Sequence, residues 1–276
     1  PAGKAITVLG SGPAGSVAID GEGVRRTVVV ARSETAATRF ENLVFRNGVN
    51  SDQIDIDGNG QIDWWDSNGG GGFVYRSSPT FVSCRFESNQ CDRSGGGIYI
   101  LGEESAPVFE QCVFQDNTAT LSGGGVSAYL SSPEMTDCDF YFNESESTSF
   151  GGGGCAFTGD SAVAIVTGGA FEGNIATAFA GGAIFAGTGA VVTVSGVVVT
   201  ANESVVDGAV VVGTEGLLSI TASRVCGNIG GQIGDSVQDD GTNCISEVCD
   251  SDGDGIDDCV DPCPNWPYDC SEDGQT

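Results

Sequence analysis

The chain has 276 residues, a length that suits one domain or one domain with a tail. Its 38 acidic and 10 basic side chains give a net charge of −28, which excludes nucleic acid and anionic membrane surfaces as partners because both require a basic surface. The absence of histidine excludes chemistry that depends on an imidazole base or ligand. No apolar run has membrane-spanning length, so membrane insertion is not expected.

The chain contains 11 cysteines, and this number indicates an oxidising compartment. We therefore expect a secreted or cell-surface protein. Because the count is odd, at least one thiol must be free or must pair outside the chain. The two ends of the sequence read as the middle of a structure, which predicts that the chain is one segment of a longer protein.

A repeat extends over most of the chain. One half of its unit is a short strand that ends in an aromatic residue or valine, followed three residues later by asparagine. Clear copies occupy residues 81–89, 109–117 and 135–143, and weaker copies end at Asn174, Asn202 and Asn228. The steps between successive asparagines are 28, 26, 31, 28 and 26 residues, and an earlier copy has Gly48 in the asparagine position.

The other half of each unit is a glycine cluster followed by a short apolar strand, as after Gly95, Gly123, Gly151 and Gly181. These short segments alternate apolar and polar residues, which is the period of a β-strand, and no segment keeps a helical period. One unit cannot bury its own inner face, so successive units must stack. The sequence therefore predicts an all-β solenoid of about eight coils.

Stacking of the coils assigns roles to the repeated positions. Phe86, Phe114, Phe140 and Phe171 share one position and are expected to form an inward-facing aromatic ladder. The asparagine that follows each is expected at a tight turn, in a left-handed backbone conformation and hydrogen-bonded to its neighbours along the stack. The glycine clusters are expected at corners where a Cβ atom would clash or where φ is positive.

Residues 51–68 interrupt the repeat, because the step from Phe45 to Phe86 is 41 residues. Within them, residues 55–66 resemble an EF-hand or dockerin-type calcium loop, with glycine at loop position 6. Ca²⁺ takes six to eight oxygen ligands, and this spacing wraps such ligands around one ion. The predicted ligands are Asp55, Asp57, Asn59, Asp63 and Asp66. The alternative is an acidic surface turn.

Trp64 and Trp65 lie in the same loop. We expect them to pack the loop onto the solenoid. The alternative is an exposed pair that stacks on sugar rings or docks a partner.

Cys84, Cys112 and Cys138 share one repeat position. Adjacent coils lie about 4.8 Å apart, so a disulfide between neighbouring coils is geometrically possible. The alternative is a buried ladder of free thiols that act as small hydrophobic groups. The sequence does not choose between them.

Residues 246–276 are predicted to form a second calcium-binding segment, separate from a solenoid of residues 1–245. The side chains of Asp250, Asp252, Asp254, Asp258 and Asp261, with Cys263, resemble a thrombospondin type 3 repeat, in which calcium and disulfides replace a hydrophobic core. The alternative is an acidic disordered linker, but five cysteines between 244 and 270 argue against it. Five cysteines cannot all pair with one another, so Cys226 is expected to join them.

Residues 171–174 and 181–184 read Phe-Glu-Gly-Asn and Gly-Gly-Ala-Ile. Over about residues 1–245 such pairs resemble the FxxN and GGAI repeats of the polymorphic outer membrane protein family. The resemblance implies a right-handed parallel β-helix of the kind found on bacterial surfaces. Members of this family and its relatives include adhesins and surface-layer components, and related folds host polysaccharide lyases and hydrolases, so the fold alone does not choose a function.

Catalysis is not expected. A lyase-like site needs calcium-binding carboxylates beside a lysine or arginine base, and nine of the ten basic residues lie at or before Arg93, so such a site could lie only in the first coils. A hydrolase-like pair of carboxylates is possible in principle, but carboxylates are so common here that a pair carries no information.

Our first functional hypothesis is a non-catalytic structural or adhesive module of a larger surface or filament-forming protein. It would be stiffened by Ca²⁺ and would contact other copies or neighbouring domains end to end. The alternative is a β-helix that binds or cleaves polysaccharide. Clustered Tyr, Trp and Asp on the outward face of the second to fourth coils would favour the alternative. The sequence predicts mostly Ser, Thr, Ala and Val there, which favours assembly.

Overall fold

The computed structural model describes residues 3–50 and 54–250. This part of the chain contains 30 short strands and one 3₁₀ helix, Trp64–Ser67. The strands form four sheets, which we name A to D, and every strand is hydrogen-bonded to the equivalent strands of adjacent coils. The pairing is parallel throughout, as between Arg85–Glu87 and Val113–Gln115. The prediction of an all-β parallel solenoid is confirmed.

The two longest sheets have nine strands each. Sheet A contains Thr7–Leu9, Arg39–Glu41, Thr80–Val82, Val108–Glu110, Glu134–Thr136, Val163–Thr167, Val191–Ser195, Leu217–Thr221 and Gln238–Asp239. Sheet B contains Ala18–Asp20, Val44–Arg46, Arg85–Glu87, Val113–Gln115, Asp139–Tyr141, Ala170–Glu172, Val198–Thr200, Arg224–Cys226 and Cys244–Ser246.

The other two sheets are smaller. Sheet C contains Val28–Val30, Gly72–Tyr75, Ile98–Leu101, Val126–Tyr129, Cys155–Thr158, Ile184–Ala186 and Val210–Val212. Sheet D contains Gln90–Cys91, Thr118–Ala119, Glu144–Ser145, Ile175–Ala180 and Glu203–Val206. The chain passes through the sheets in the order A, B, D, C, and this cycle produces about eight coils, as predicted.

The predicted aromatic ladder forms the centre of the core. The rings of Phe86, Phe114, Phe140 and Phe171 are fully buried, and successive centroids are 5.1, 4.8 and 4.5 Å apart in stacked geometry. A second stack on sheet A, which the sequence analysis did not predict, contains Phe40, Phe81 and Phe109 at 5.0 and 5.1 Å. The parallel in-register pairing places identical side chains above one another, so ring stacking adds to apolar burial.

The repeated asparagines form the predicted hydrogen-bonded ladder, which runs from Asn89 through Asn117, Asn143, Asn174, Asn202 and Asn228. Each Nδ2 donates to the Oδ1 of the next asparagine at 2.9–3.0 Å. The ladder ends at Gln232, whose Oε1 accepts from Asn228 at 2.8 Å.

One detail of this turn was predicted wrongly. The residue in the left-handed region is the one before the asparagine, as at Ser88 with φ 55° and Asp116 with φ 54°. That geometry turns the asparagine side chain inward, where its amide satisfies buried backbone groups as well as its neighbours in the ladder.

The glycine clusters occupy crowded corners. A Cβ atom on Gly96 would lie 2.4 Å from the carbonyl oxygen of Gly124 in the next coil and 2.5 Å from that of Thr118. No side chain fits at such distances, so glycine is required by close backbone approach. Gly95, directly before it, has φ +75°, and both expected roles of these glycines are therefore present in one cluster.

The described cysteines include free thiols and disulfide-bonded residues. Cys84, Cys91, Cys112, Cys138 and Cys155 are free and buried, so the shared position of the repeat is a ladder of thiols and not of disulfides. Each ladder thiol lies near a backbone carbonyl oxygen of the preceding coil, as Cys112 Sγ does at 3.5 Å from Phe81. Cys226 and Cys249 form a disulfide, and Cys226 thus joins a later cysteine as expected.

Candidate functional site

The predicted insertion leaves the solenoid after the sheet B strand Val44–Arg46 and returns at the sheet C strand Gly72–Tyr75. Its described part, residues 54–68, contains all five predicted ligands of the first calcium loop and ends in the 3₁₀ helix. The described residues 54–68 lie outside the strands of all four sheets.

The Asp55 carboxylate organises the start of the loop. It accepts backbone hydrogen bonds from Gly58 at 2.7 Å, Asn59 at 3.1 Å and Gly60 at 2.7 Å. These bonds, that of Gly60 foremost, lower the pKa of Asp55 because they stabilise the charged form.

Asn59 lies between two further carboxylates of the loop. Its Nδ2 donates to Asp57 at 3.2 Å and to Asp63 at 2.8 Å. Asp66 is buried and accepts instead from the backbone N–H groups of Asp63 and Ile56, at 2.7 and 3.3 Å. Desolvation raises the pKa of Asp66 against these hydrogen bonds.

The loop gathers Asp57, Asn59 and Asp63, and directs Asp55 and Asp66 largely toward backbone N–H groups. Within residues 3–50 and 54–250, no group of three or more Asp, Glu or Cys side chains is arranged to hold a metal ion. Of the second predicted ligand set, Asp250 is described, whereas Asp252, Asp254, Asp258 and Asp261 lie outside the described residues.

Arg26, in the first coil, fixes the end of the insertion. Its side chain is 6% exposed, and Nε donates to the carbonyl oxygens of Asn68 at 3.0 Å and Gly69 at 2.9 Å. Nη2 donates to the carbonyl oxygen of Asp66. The guanidinium also lies 5.8 Å from the ring centroid of Phe73. A charged group thus satisfies carbonyls that the insertion would otherwise leave buried and unpaired.

The outer face of sheet C carries large aromatic side chains in its early coils. The register aligns Phe73 with Tyr99 in one outward row, and Tyr75 with Leu101 and Tyr129 in another. These side chains form an apolar cluster with Ile56 and Trp65 of the insertion, outside the main core. The insertion therefore packs on this face through Ile56 and Trp65.

Three clefts follow one another along this outer face, with volumes of about 420, 560 and 530 Å³. Trp64, Tyr129 and Leu130 line both the first and the second cleft, and Phe150 and Thr188 line both the second and the third. The clefts therefore form one interrupted groove along the solenoid, which we call the sheet C groove.

Trp64 stands between the first two clefts. It is 53% exposed, its ring meets that of Tyr129 edge to face at 6.3 Å, and it contacts Trp65 in the same way at 5.5 Å. The guanidinium of Arg93 lies over the Trp64 ring at 5.7 Å in the second cleft. In the first cleft, the guanidinium of Arg76 lies over Tyr75 at 5.3 Å.

Polar side chains share the groove with these rings. Glu103 and Glu104 line the first cleft, Asp160 lines the second, and Asp207 and Glu215 line the third. The serine and threonine residues of the second cleft are Ser94, Ser122, Ser127, Thr158 and Thr188. An arrangement of aromatic faces with hydrogen-bonding groups between them suits an amphipathic ligand.

The comparison with known families agrees with this architecture. A family model described as "Right handed beta helix region" matches residues 28–225. The chain belongs to the right-handed β-helix family. No curated protein and no solved structure matches the chain. No helix within the described residues of the β-helix is long and apolar enough to cross a membrane.

The outward face of the β-helix corrects one expectation. The second to fourth coils do not present a smooth Ser, Thr, Ala and Val surface on sheet C, since Tyr75, Tyr129 and Trp64 meet there. The expectation for the tryptophan pair was half correct, because Trp65 packs the loop onto the β-helix whereas Trp64 is exposed. The recurrence of tyrosine at the ends of two sheet C strands was the signal available in the sequence.

Proposed function

We propose that this β-helix is a non-catalytic extracellular module that binds polysaccharide lengthwise in the sheet C groove. One observation carries the proposal: the ring of Trp64 is exposed and contacts Tyr129 at the point where two clefts meet. Sugar rings have apolar faces and polar edges, so they stack on aromatic rings while their hydroxyl groups bond to neighbouring polar side chains.

The length of the groove favours a polymer over a small molecule. Sheet C has seven strands, and strand spacings of about 4.8 Å make it about 29 Å long. The three clefts follow this direction, from Tyr75 in the first to Val211 in the third. An extended glycan lying along the axis would place several sugar rings in them at once.

Binding without cleavage is the simpler interpretation of the polar groups. The chain has no histidine to move a proton near neutral pH. A guanidinium group offers N–H donors and no acceptor atom, so Arg76 and Arg93 are suited to hold a ligand by donating hydrogen bonds. Release of new reducing ends or unsaturated sugars from any bound polymer would contradict the non-catalytic part of the proposal.

The decisive experiment measures glycan binding by wild-type protein and by two matched variants. Trp64→Ala removes the ring between the clefts, and Phe142→Ala removes another exposed aromatic ring on a turn that lines none of the three clefts. We expect Trp64→Ala to weaken binding about tenfold or more and Phe142→Ala to leave it unchanged. Equal binding by all three proteins would contradict the assignment of the groove.

We also propose that the loop from Asp55 to Asp66 binds Ca²⁺ and thereby stiffens the insertion that carries Trp64. Support comes from the meeting of the Asp57 and Asp63 carboxylates at the Asn59 amide, a place that a cation could take after the amide rotates. The predicted tail site, with Asp250, is part of the same proposal.

Calcium binding is tested by calorimetric titration of metal-free protein. Asp57→Asn with Asp63→Asn should abolish the binding event of the loop. Asp92→Asn with Asp116→Asn removes the same charge from exposed positions outside the loop and should leave that event unchanged. If titration of the wild-type protein with Ca²⁺ changes neither the heat signal nor the tryptophan fluorescence, the loop is an acidic surface turn.

A structural role on the cell surface is the second candidate. The first-coil strands Thr7–Leu9 and Ala18–Asp20 have a sheet neighbour on one side only within the described residues, so they offer edges for end-to-end contact with another copy or domain. The disulfide between Cys226 and Cys249 supports an oxidising, extracellular location. Scattering of the protein with calcium and with chelator tests this role, since calcium-dependent assembly is its expected result and an indifferent monomer contradicts it.

A further inference from the structure

We infer that the third cleft of the sheet C groove binds a linear aliphatic polyamine, which places one ammonium group at Asp207 and another at Glu215. This cleft lies in the later coils and has a volume of about 530 Å³. The inference goes beyond the polysaccharide binding proposed above and does not depend on it, because Trp64 does not line this cleft.

The first two clefts contain their own cations. The guanidinium of Arg76 lies over the Tyr75 ring in the first cleft, and that of Arg93 lies over the Trp64 ring in the second. The described residues that line the third cleft include aromatic rings and carboxylates but no lysine or arginine. A cation from outside the chain would therefore complete there the arrangement that an arginine completes in each of the other two.

The sequence offers this part of the β-helix almost no basic side chain. Arg224 is the only lysine or arginine after Arg93, and its strand belongs to sheet B and not to sheet C. The carboxylates of Asp207 and Glu215 form no hydrogen bond or ion pair with a described residue. Both are therefore available to a ligand, and their negative charges attract a cation to the cleft.

Three phenylalanine rings line the third cleft. Phe150 is 46% exposed, Phe179 is half-buried, and the Phe179 ring meets that of Phe185 edge to face at 6.0 Å. Phe179 lies where strand pairing changes register between Ala176 and Ala180, and such an irregularity re-aims a side chain. The negative face of an aromatic ring attracts an ammonium group, and its apolar surface suits the methylene groups of an alkyl chain.

The two carboxylates flank one strand, which narrows the class of cation. Asp207 precedes the sheet C strand Val210–Val212 by three residues, and Glu215 follows it by three. This strand is about 10 Å long, so one ammonium group cannot contact both carboxylates, whereas an alkyl chain with an ammonium group at each end can. A divalent metal ion fits less well, because it requires several oxygen ligands around one point.

The test is calorimetric titration with spermidine at about 0.15 M salt, where diffuse attraction by the acidic surface is screened. Asp207→Asn with Glu215→Gln removes both cleft carboxylates, and Glu110→Gln with Asp116→Asn removes the same charge from exposed positions outside the cleft. We expect the cleft variant to weaken spermidine binding about tenfold or more and the control to bind as wild type does. The uncharged linear probe 1,8-octanediol should not bind.

Two further variants test the aromatic rings and the independence from the proposed function. Phe179→Leu keeps an apolar side chain but removes a ring, and it should weaken spermidine binding about two- to fivefold. Trp64→Ala should leave spermidine binding unchanged, because its ring lies outside the third cleft.

The outcomes separate this inference from the proposed function. Equal weakening by the two charge variants would show diffuse attraction alone and overturn the inference. Absence of spermidine binding, or equal binding of the diol, would overturn it as well, and glycan binding that depends on Trp64 would stand in either case. Spermidine binding that depends on the cleft carboxylates supports the inference, even where no glycan binds and the proposed function fails.

Discussion

Asn117 donates a hydrogen bond from Nδ2 to Oδ1 of Asn143 at 2.9 Å, and both side chains are fully buried although they are 26 residues apart. The same Oδ1 accepts from the backbone N–H of Asn117 at 3.2 Å. The Asn143 amide in turn donates to the carbonyl oxygen of Phe114 at 2.9 Å. One side chain therefore satisfies polar groups of an adjacent coil that water cannot reach.

Replacement of Asn143 by alanine should lower the free energy of unfolding by about 3 kcal/mol or more. It removes the acceptor that the Asn117 backbone N–H and one N–H of the Asn117 side-chain amide share, and it removes a donor to the Phe114 carbonyl oxygen. Each buried group left without a partner costs about 1–3 kcal/mol. Urea denaturation measures the change, with the exposed Glu110→Ala as a control that should stay within about 0.5 kcal/mol of wild type. A loss below about 1 kcal/mol for Asn143→Ala would show that water replaces the ladder.

Arg26→Met should release the insertion while leaving the β-helix folded. The variant removes the donors that satisfy the carbonyl oxygens of Asn68, Gly69 and Asp66, so the insertion loses its buried anchor. We expect protease cleavage within the insertion and a red shift of tryptophan fluorescence. Arg25→Met, next to it but exposed, is the matched control and should show neither change. Unchanged proteolysis of Arg26→Met would mean that packing alone fixes the insertion.

Stability should decline in alkaline solution partly because of Cys91. Burial raises the pKa of this thiol from its ordinary value of 9.0 to about 11. Below pH 9 both states keep the proton, and between about pH 9 and 11 only the unfolded state loses it, so the free energy of unfolding falls over this window. The fall amounts to about 2–3 kcal/mol and stops above the folded-state pKa.

The test compares wild type with Cys91→Ala, both measured by denaturation from pH 8 to above pH 11. The variant should be less stable at pH 8, because it loses packing, but its stability should decline less over the window. Cys112 and Cys155 have pKa values raised by burial as well and will sustain part of the decline. Parallel pH profiles would contradict the buried state of Cys91.

Removal of the disulfide between Cys226 and Cys249 should lower the free energy of unfolding by about 3 kcal/mol. The reason is that the disulfide closes a loop of 23 residues and so restricts the unfolded chain. The double alanine variant is compared with Cys112→Ala, which also removes a buried sulfur but no cross-link. We expect the cross-link variant to lose more stability than this control. Similar losses would assign the effect to packing and not to the covalent bond.

The repeat made much of the fold predictable. Phe114 and Phe140 occur at equivalent positions of consecutive units, and parallel in-register pairing obliges equivalent residues to lie above one another, so the ladder follows from spacing. The excursion before Gly72 was predictable for the same reason, since extra residues between two equivalent strands must leave the coil. Calcium binding by this loop, calcium binding by the segment 246–276 and the domain boundary near residue 245 stay predictions.

What the sequence determined by itself was the stack, because the inward side chains and the asparagine turns contact their own equivalents. The tertiary structure alone decided the sheet C groove, since Trp64 reaches Tyr129 across the stack only after the insertion folds back over the sheet. It also decided that Cys84, Cys112 and Cys138 are free thiols. The guanidinium groups of Arg76 and Arg93 lie over aromatic rings for the same reason. Such contacts join residues with no common period, and a sequence pattern carries no information about the distance between them.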